Sequence, residues 1–171
     1  MSADFDRECL PRIRALLKKL DALVAGANGK ARPVFVDLRD RVRGYLHWCA
    51  ALRNVCAWVA DVYGYLEATD DATRARHDES LQRTIDVEME NTRGLLELLE
   101  SATTEFMALS DVGDSTFIYG ENLPDLLRRK LSLMSEYRRH PPYIDRALIW
   151  RVEGLVDWPE GRAKRKPVRS P

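Results

Sequence analysis

The stretch PVFVDLRDRVRGYLHWCAALRNVCAWVADVYGYLEAT, residues 33–69, decides the fold predicted for this chain. Its apolar residues recur at alternating spacings of three and four over five heptads, a period typical of a long helix packed along other helices. The members of this predicted internal seam are Phe35, Leu38, Val42, Tyr45, Cys49, Leu52, Cys56, Val59, Tyr63 and Leu66. We therefore expect one helix from Pro33 to about Thr69.

A polar column accompanies this apolar pattern. It consists of Asp40, His47, Asn54 and Asp61, one residue in every heptad. On a helix whose apolar seam faces the interior, the polar side is expected to face solvent. The sequence therefore predicts that these four side chains are exposed.

The residues that follow predict a helical hairpin. Asp70 and Asp71 are typical of a turn and a helix N-cap, and a second apolar pattern predicts a long helix from Thr73 to Leu109. A connection this short forces the two helices to run antiparallel. If the turn centres at residue 70 or 71, residue i lies level with roughly residue 141 − i.

Three shorter helices complete the predicted all-α helical bundle. The first runs from Pro11 to the sequence Gly26-Ala-Asn-Gly, the next from Pro124 to about Arg139, and the last from Asp145 to about Leu155. Prolines in the first turn and glycines after the last turn mark such boundaries. We expect residues 1–156 to form a single domain and residues 157–171 a basic tail.

Charge is segregated along the chain although its formal sum is zero. Residues 1–66 carry a net charge of +4, residues 67–125 of −11, and residues 126–171 of +7. This distribution favours helices that attract one another within the fold. The alternative is a basic face, made by both flanks, that binds nucleic acid or another polyanion.

Cysteine usage and the N-terminus predict a cytoplasmic protein that does not enter membranes. The three cysteines (Cys9, Cys49 and Cys56) form no Cys-x-x-Cys pair, which disfavours a disulfide framework or a zinc site. The chain begins without the features of a signal peptide, and polar residues interrupt its most apolar window. Glu-x-x-His, His-Glu-x-x-His and glycine-rich phosphate-loop motifs are absent from the sequence, so neither a metal nor a cofactor is predicted.

The segment Arg41-Val-Arg-Gly-Tyr-Leu-His47 resembles the Arg-x(4–6)-His signature of HEPN ribonucleases, which are helical bundles. The resemblance implies that Arg41 binds phosphate and that His47 is its catalytic partner. Six residues of regular helix, however, separate the two by about 9 Å along the axis and about 120° around it. The simpler interpretation places His47 in the polar column.

Two further sets of residues are candidates for sites. Glu88 interrupts the apolar pattern of the second long helix, and the hairpin register sets it opposite Arg53, so we expect an ion pair between them. Trp58 and Tyr65 lie seven residues apart on an aromatic-rich stretch. If they are exposed, they would mark a binding patch.

The absence of a reactive constellation predicts a non-catalytic helical interaction module, acting alone or as an accessory part of a larger enzyme or assembly. Its expected partner is a protein, with a homo-oligomer as one form of this. A HEPN-like ribonuclease or another nucleic-acid-binding protein is the alternative.

Overall fold

The computed structural model describes residues 2–104, 106 and 122–142, and every regular element within these residues is helical. The elements are α1 (Ser2–Asp4), a π-helical turn (Phe5–Cys9), α2 (Leu10–Gly26), α3 (Ala31–Glu67), α4 (Asp71–Ser101) and α5 (Leu123–Tyr137). The predicted all-α bundle on a long antiparallel hairpin is confirmed. The predicted helix at 145–155 and the basic tail lie outside the described residues.

The N-terminal helical region begins earlier than expected. Pro11 opens α2 as predicted, but the residues before it are already helical, and the Leu10 N–H donates to the Phe5 carbonyl in a π-helical turn. α2 packs on α3 through the apolar cluster Leu10, Ile13, Leu17 and Cys49. Gly29 lies in the connection between α2 and α3 and has a φ of 53°, a left-handed conformation that glycine adopts without a Cβ clash.

The hairpin consists of α3, with 37 residues, and α4, with 31 residues. At 1.5 Å per residue they are about 55 and 46 Å long. The prediction that the second helix continues to Leu109 is wrong, because the backbone of Ala102 is extended. The Ser101 hydroxyl donates to the Glu97 carbonyl at 2.7 Å, a bond typical of serine near a helix end.

Polar side chains line the interface between α3 and α4, and this overturns the predicted exposure of the polar column. Asp40 and Asn54 are only 3 and 2% exposed. His47, Asn54 and Asp61 are each hydrogen-bonded to side chains of α4. We call this interface the hairpin seam, formed by His47, Asn54, Asp61 and Gly64 on α3 and by His77, Ser80, Glu88, Asn91 and Gly94 on α4.

Two histidine–glycine contacts show the register of the hairpin seam. The His47 ring lies over Gly94, where a Cβ would be 2.7 Å from Cε1, and the His77 ring lies over Gly64 at still closer range. Each pair sums to 141, so the predicted register is confirmed. The predicted exposure of the polar column was wrong because it assumed a different rotation of α3 about its helix axis.

Ion pairs join basic residues of α5, and Arg138 directly after it, to the acidic helix α4. They are Arg128 with Glu100, Lys130 with Glu88 and Arg138 with Asp86. This is the attraction between oppositely charged helices that the charge segregation predicts. None of the helices in the described residues is both long and apolar enough to span a membrane.

Replacing Gly64 by alanine tests the tight approach of α4 to α3. Alanine favours a helix interior by about 1 kcal/mol over glycine, but its methyl group would displace His77 from Asp61. We expect a net loss of about 1–3 kcal/mol in the free energy of unfolding, measured by urea denaturation. Gly26→Ala is the control, because nothing lies within 4 Å of a Cβ there. A Gly64→Ala protein as stable as Gly26→Ala would contradict the observed packing.

The cap of α4 predicts a dependence of stability on pH. The Thr73 backbone N–H donates to Asp70 at 2.7 Å and, as the largest cause, lowers the pKa of that carboxyl. The cap therefore stabilises the fold above the unfolded pKa of about 3.9 and loses this effect as pH falls through the lower folded pKa.

Asp70→Ala should lower the free energy of unfolding measured in urea at pH 7. The difference in this free energy between the variant and the wild type should be smaller at pH 3. Asp70→Asn is the matched control, since asparagine also caps helices but does not titrate. A gap between Asp70→Ala and wild type that is equal at both pH values would contradict the assignment.

Candidate functional site

The two residues of the ribonuclease-like motif face different neighbours. His47 points into the hairpin seam, where its Nδ1 lies 2.9 Å from the Asn91 Oδ1, and Asn91 also donates to the His47 carbonyl. The Arg41 Nε donates to Asp37 at 2.9 Å, and this bond holds the pKa of Asp37 below its usual value. The structure therefore does not assemble Arg41 and His47 into one site within the described chain.

The predicted ion pair between Arg53 and Glu88 is absent. Arg53 instead binds Asp6 through Nε and Nη2, the latter at 2.9 Å. Asn54, the next residue, occupies the expected position and donates to Glu88 at 2.7 Å. Successive residues lie 100° apart on a helix, since 3.6 residues make one turn. The rotation of α3 thus brings an amide rather than a guanidinium to the carboxylate.

Glu88 is a buried carboxylate with partners from three helices. Its side chain is 8% exposed. Asn54 of α3 and Lys130 of α5 bind its two oxygens, and Asn91 and Thr92 of its own helix lie at 3.4 Å. Both oxygens of this buried carboxylate are therefore occupied by partners from the protein itself. This environment fits a structural role better than that of a general base.

A cavity of about 530 Å³ lies between α3, α4 and α5. Its apolar walls are Val55, Trp58 and Val62 of α3, Leu81 and Ile85 of α4, and Leu133, Met134 and Tyr137 of α5; Asn54, Glu88 and Lys130 also line it. Trp58 is 45% exposed beside this cavity. Tyr65 is half-buried and is not among the lining residues. The structure therefore places one of the two predicted aromatics at a cavity and does not bring the pair together.

A second heptad pattern runs along the outer face of α3, and sequence reasoning missed it. Its members follow spacings of four and three without a break: Val34, Leu38, Arg41, Tyr45, Trp48, Leu52, Val55, Val59, Val62 and Leu66. We call these residues the outer seam; two of them, Val55 and Val62, also form part of the α3 wall of the cavity. Its seven apolar members from Val34 to Val59 are 36–64% exposed. The sequence contains this pattern. If each of Phe35, Val42, Cys49, Cys56 and Tyr63 in the predicted internal seam is replaced by the residue directly before it, the second unbroken heptad pattern results.

The outer seam carries little charge. Between Tyr45 and Leu66 the charged residues of α3 are Arg53 and Asp61. Arg53 turns toward Asp6, and Asp61 accepts bonds from Ser80 and His77 in the hairpin seam. The rings of Tyr45 and Trp48 lie on the seam with their centroids 5.7 Å apart. The surface is thus apolar, aromatic and uncharged over about six helical turns.

No group of three or more acidic, histidine or cysteine side chains in the described part of the chain is arranged to hold a metal ion. Comparisons with protein-family models, with curated proteins and with solved structures found no match to this chain.

A double-mutant cycle distinguishes the observed partner of Glu88 from the one predicted by the sequence. The Lys130 side chain is 39% exposed, so we expect a coupling free energy between Lys130 and Glu88 of about 1–2 kcal/mol, below that of a fully buried pair. The variants are Lys130→Met and Glu88→Gln, and the measurement is urea denaturation. The matched cycle with Arg53→Met should give a coupling to Glu88 within about 0.5 kcal/mol of zero. A coupling of Glu88 to Arg53 that is larger than its coupling to Lys130 would contradict the rotation of α3 described above.

Proposed function

We propose that this protein is a non-catalytic helical module that binds a protein partner through the outer seam of α3. The observation that carries this proposal is the row of exposed apolar side chains from Val34 to Val59. Single exposed apolar residues are normal on protein surfaces, but an unbroken row such as that from Tyr45 to Val59 marks an interaction site. The cysteine usage is the basis for placing this role in the cytoplasm.

The composition of the outer seam favours a protein over other ligands. Aromatic residues are enriched and charged residues depleted at the centres of protein interfaces. Trp48 and Tyr45 supply the aromatic surface, and Trp58 borders the seam at the cavity. A heptad pattern is matched best by another helix, because its side chains fill holes between four residues of a helical partner.

The alternative, a HEPN-like ribonuclease or another nucleic-acid-binding protein, has less support from the geometry. Its two motif residues are engaged by different neighbours, Arg41 by Asp37 and His47 by Asn91. In addition, Arg128, Lys130 and Arg138 of the basic C-terminal flank pair with acids of α4. These contacts reduce the positive charge that α5 offers to a phosphate backbone.

Site-specific photo-cross-linking tests the proposal. A photoreactive amino acid at Val55, which is 55% exposed on the outer seam, should cross-link the full chain to a protein in cells of its source. The same photoreactive amino acid at position Val87 is the matched control. Val87 is 51% exposed on α4 and lies between Arg83 and Glu90 on one face of that helix. Equal cross-linking from both positions, or none from Val55, would contradict the proposal.

Ribonuclease activity provides the test of the alternative. We expect the purified chain to leave single-stranded and structured RNA intact, since Arg41 and His47 are held by different neighbours. The comparison is with a chain that carries both Arg41→Ala and His47→Ala. RNA cleavage by the wild-type chain that this double variant lacks would overturn the proposed function in favour of the ribonuclease.

A further inference from the structure

We infer that the outer seam binds the outer seam of a second copy of this chain, so that two α3 helices pair antiparallel about a two-fold axis. The inference rests on the proposed function and names its partner. A seam of nearly five heptads requires a partner helix with a heptad pattern of similar length. The chain itself carries such a helix in α3.

The outer seam is self-complementary when two copies run antiparallel. With the axis at the level of residue 50, residue i of one copy faces residue 100 − i of the other. Every member of the outer seam then meets another member, because the spacings of four and three read the same in both directions. Trp48 faces Leu52 of the second copy, and Tyr45 faces Val55. Each large aromatic ring thus meets an aliphatic side chain rather than a second ring, which suits close packing.

Charge at the two ends of α3 favours the antiparallel arrangement. Within α3, residues 31–43 contain four basic and two acidic side chains, whereas residues 57–67 contain two acidic and no basic ones. Antiparallel pairing brings the basic end of one copy beside the acidic end of the other, and parallel pairing would set like charges together. The helix dipoles also oppose one another only in the antiparallel pair.

Arg41 is the one charged member of the outer seam. It carries its own counter-charge, since its Nε donates to Asp37 one turn earlier on the same helix. In the antiparallel pair Arg41 lies level with Val59 of the second copy, near the end of the seam. A single polar position in a heptad pattern disfavours shifted registers, in which the charge would lie against the apolar centre.

Sedimentation and light scattering of the purified full chain measure directly whether two copies bind each other. The wild type should be a dimer at micromolar concentration, and Val87→Lys should dimerise equally well. Val55→Lys should weaken dimerisation by about 100-fold or more, because two-fold symmetry introduces the charge into the seam twice. Trp48→Lys is a second variant on the seam, and circular dichroism verifies that each variant keeps the helical content of the wild type.

Spin labels test the direction of pairing. A nitroxide on Lys30→Cys, in a chain with Cys9, Cys49 and Cys56 replaced by serine or alanine, precedes the first turn of α3. The antiparallel pair places the two labels about 60 Å apart, whereas a parallel pair places them about 10 Å apart. The labelled chain should first be shown to dimerise as the wild type does.

The outcomes separate this inference from the proposed function. A wild-type chain that is monomeric at 100 µM, a dimer that Val55→Lys leaves unchanged, or a short distance between the labels would overturn the antiparallel pair. If the chain is monomeric yet Val55 still cross-links to a different protein, the proposed function stands and the second copy is excluded. Cross-linking of Val55 to the chain itself, together with the dimer and the long distance, supports both.

Discussion

The arrangement of the bundle depends on the hydrogen bond and the ion pair made by the carboxylate of Glu88. This carboxylate lies almost fully buried on α4, accepts a hydrogen bond from Asn54 of α3 and pairs with Lys130 of α5. A buried charge must be paired and hydrogen-bonded, because desolvation would otherwise cost several kcal/mol. Asn54 and Lys130 must therefore both lie beside Glu88. This requirement fixes the positions of α3, α4 and α5 relative to one another.

The rest of the hairpin seam extends this constraint along the length of α3 and α4. On one side of Glu88, His47 binds Asn91 and lies over Gly94; on the other side, His77 binds Asp61 and lies over Gly64. The two arrangements mirror each other, with each ring over a glycine three residues after its hydrogen-bonding partner. Apolar contacts tolerate a shifted or rotated neighbour, but directional hydrogen bonds at three levels do not.

The exposed apolar face of α3 follows from this inward polar face. α3 buries its polar column against α4 and packs Val42, Leu46, Cys49 and Ala50 against α2, which leaves its outer seam exposed. Trp48 and Val55 are consequently about half exposed, although their residue types are usually buried. The free energy gained by covering them is the physical basis for the proposed interaction with another helix.

The sequence by itself determined the two hairpin helices apart from the C-terminal end of α4, their antiparallel pairing and the register of the hairpin, because each depends on local pattern or chain length. The heptad spacing in residues 33–69 marks α3, the Asp70 cap marks the start of α4, and the short turn leaves only one direction for the return. The register followed from the position of that turn. These features need no knowledge of what lies across the helix.

Only the tertiary structure decided which face of α3 each neighbour covers. Two overlapping heptads share Leu38, Tyr45, Leu52, Val59 and Leu66, so the apolar pattern is compatible with two rotations of the helix. Glu88 on α4, which also pairs with Lys130 of α5, selects between them. Glu88 lies 34 residues from Asn54 along the chain, and Lys130 lies 42 residues from Glu88. Asn54 therefore meets Glu88 where Arg53 was expected, and the outer seam remains exposed. Such long-range pairing cannot be read from the periodicity of one helix, because burial depends on the neighbours that the rest of the chain supplies.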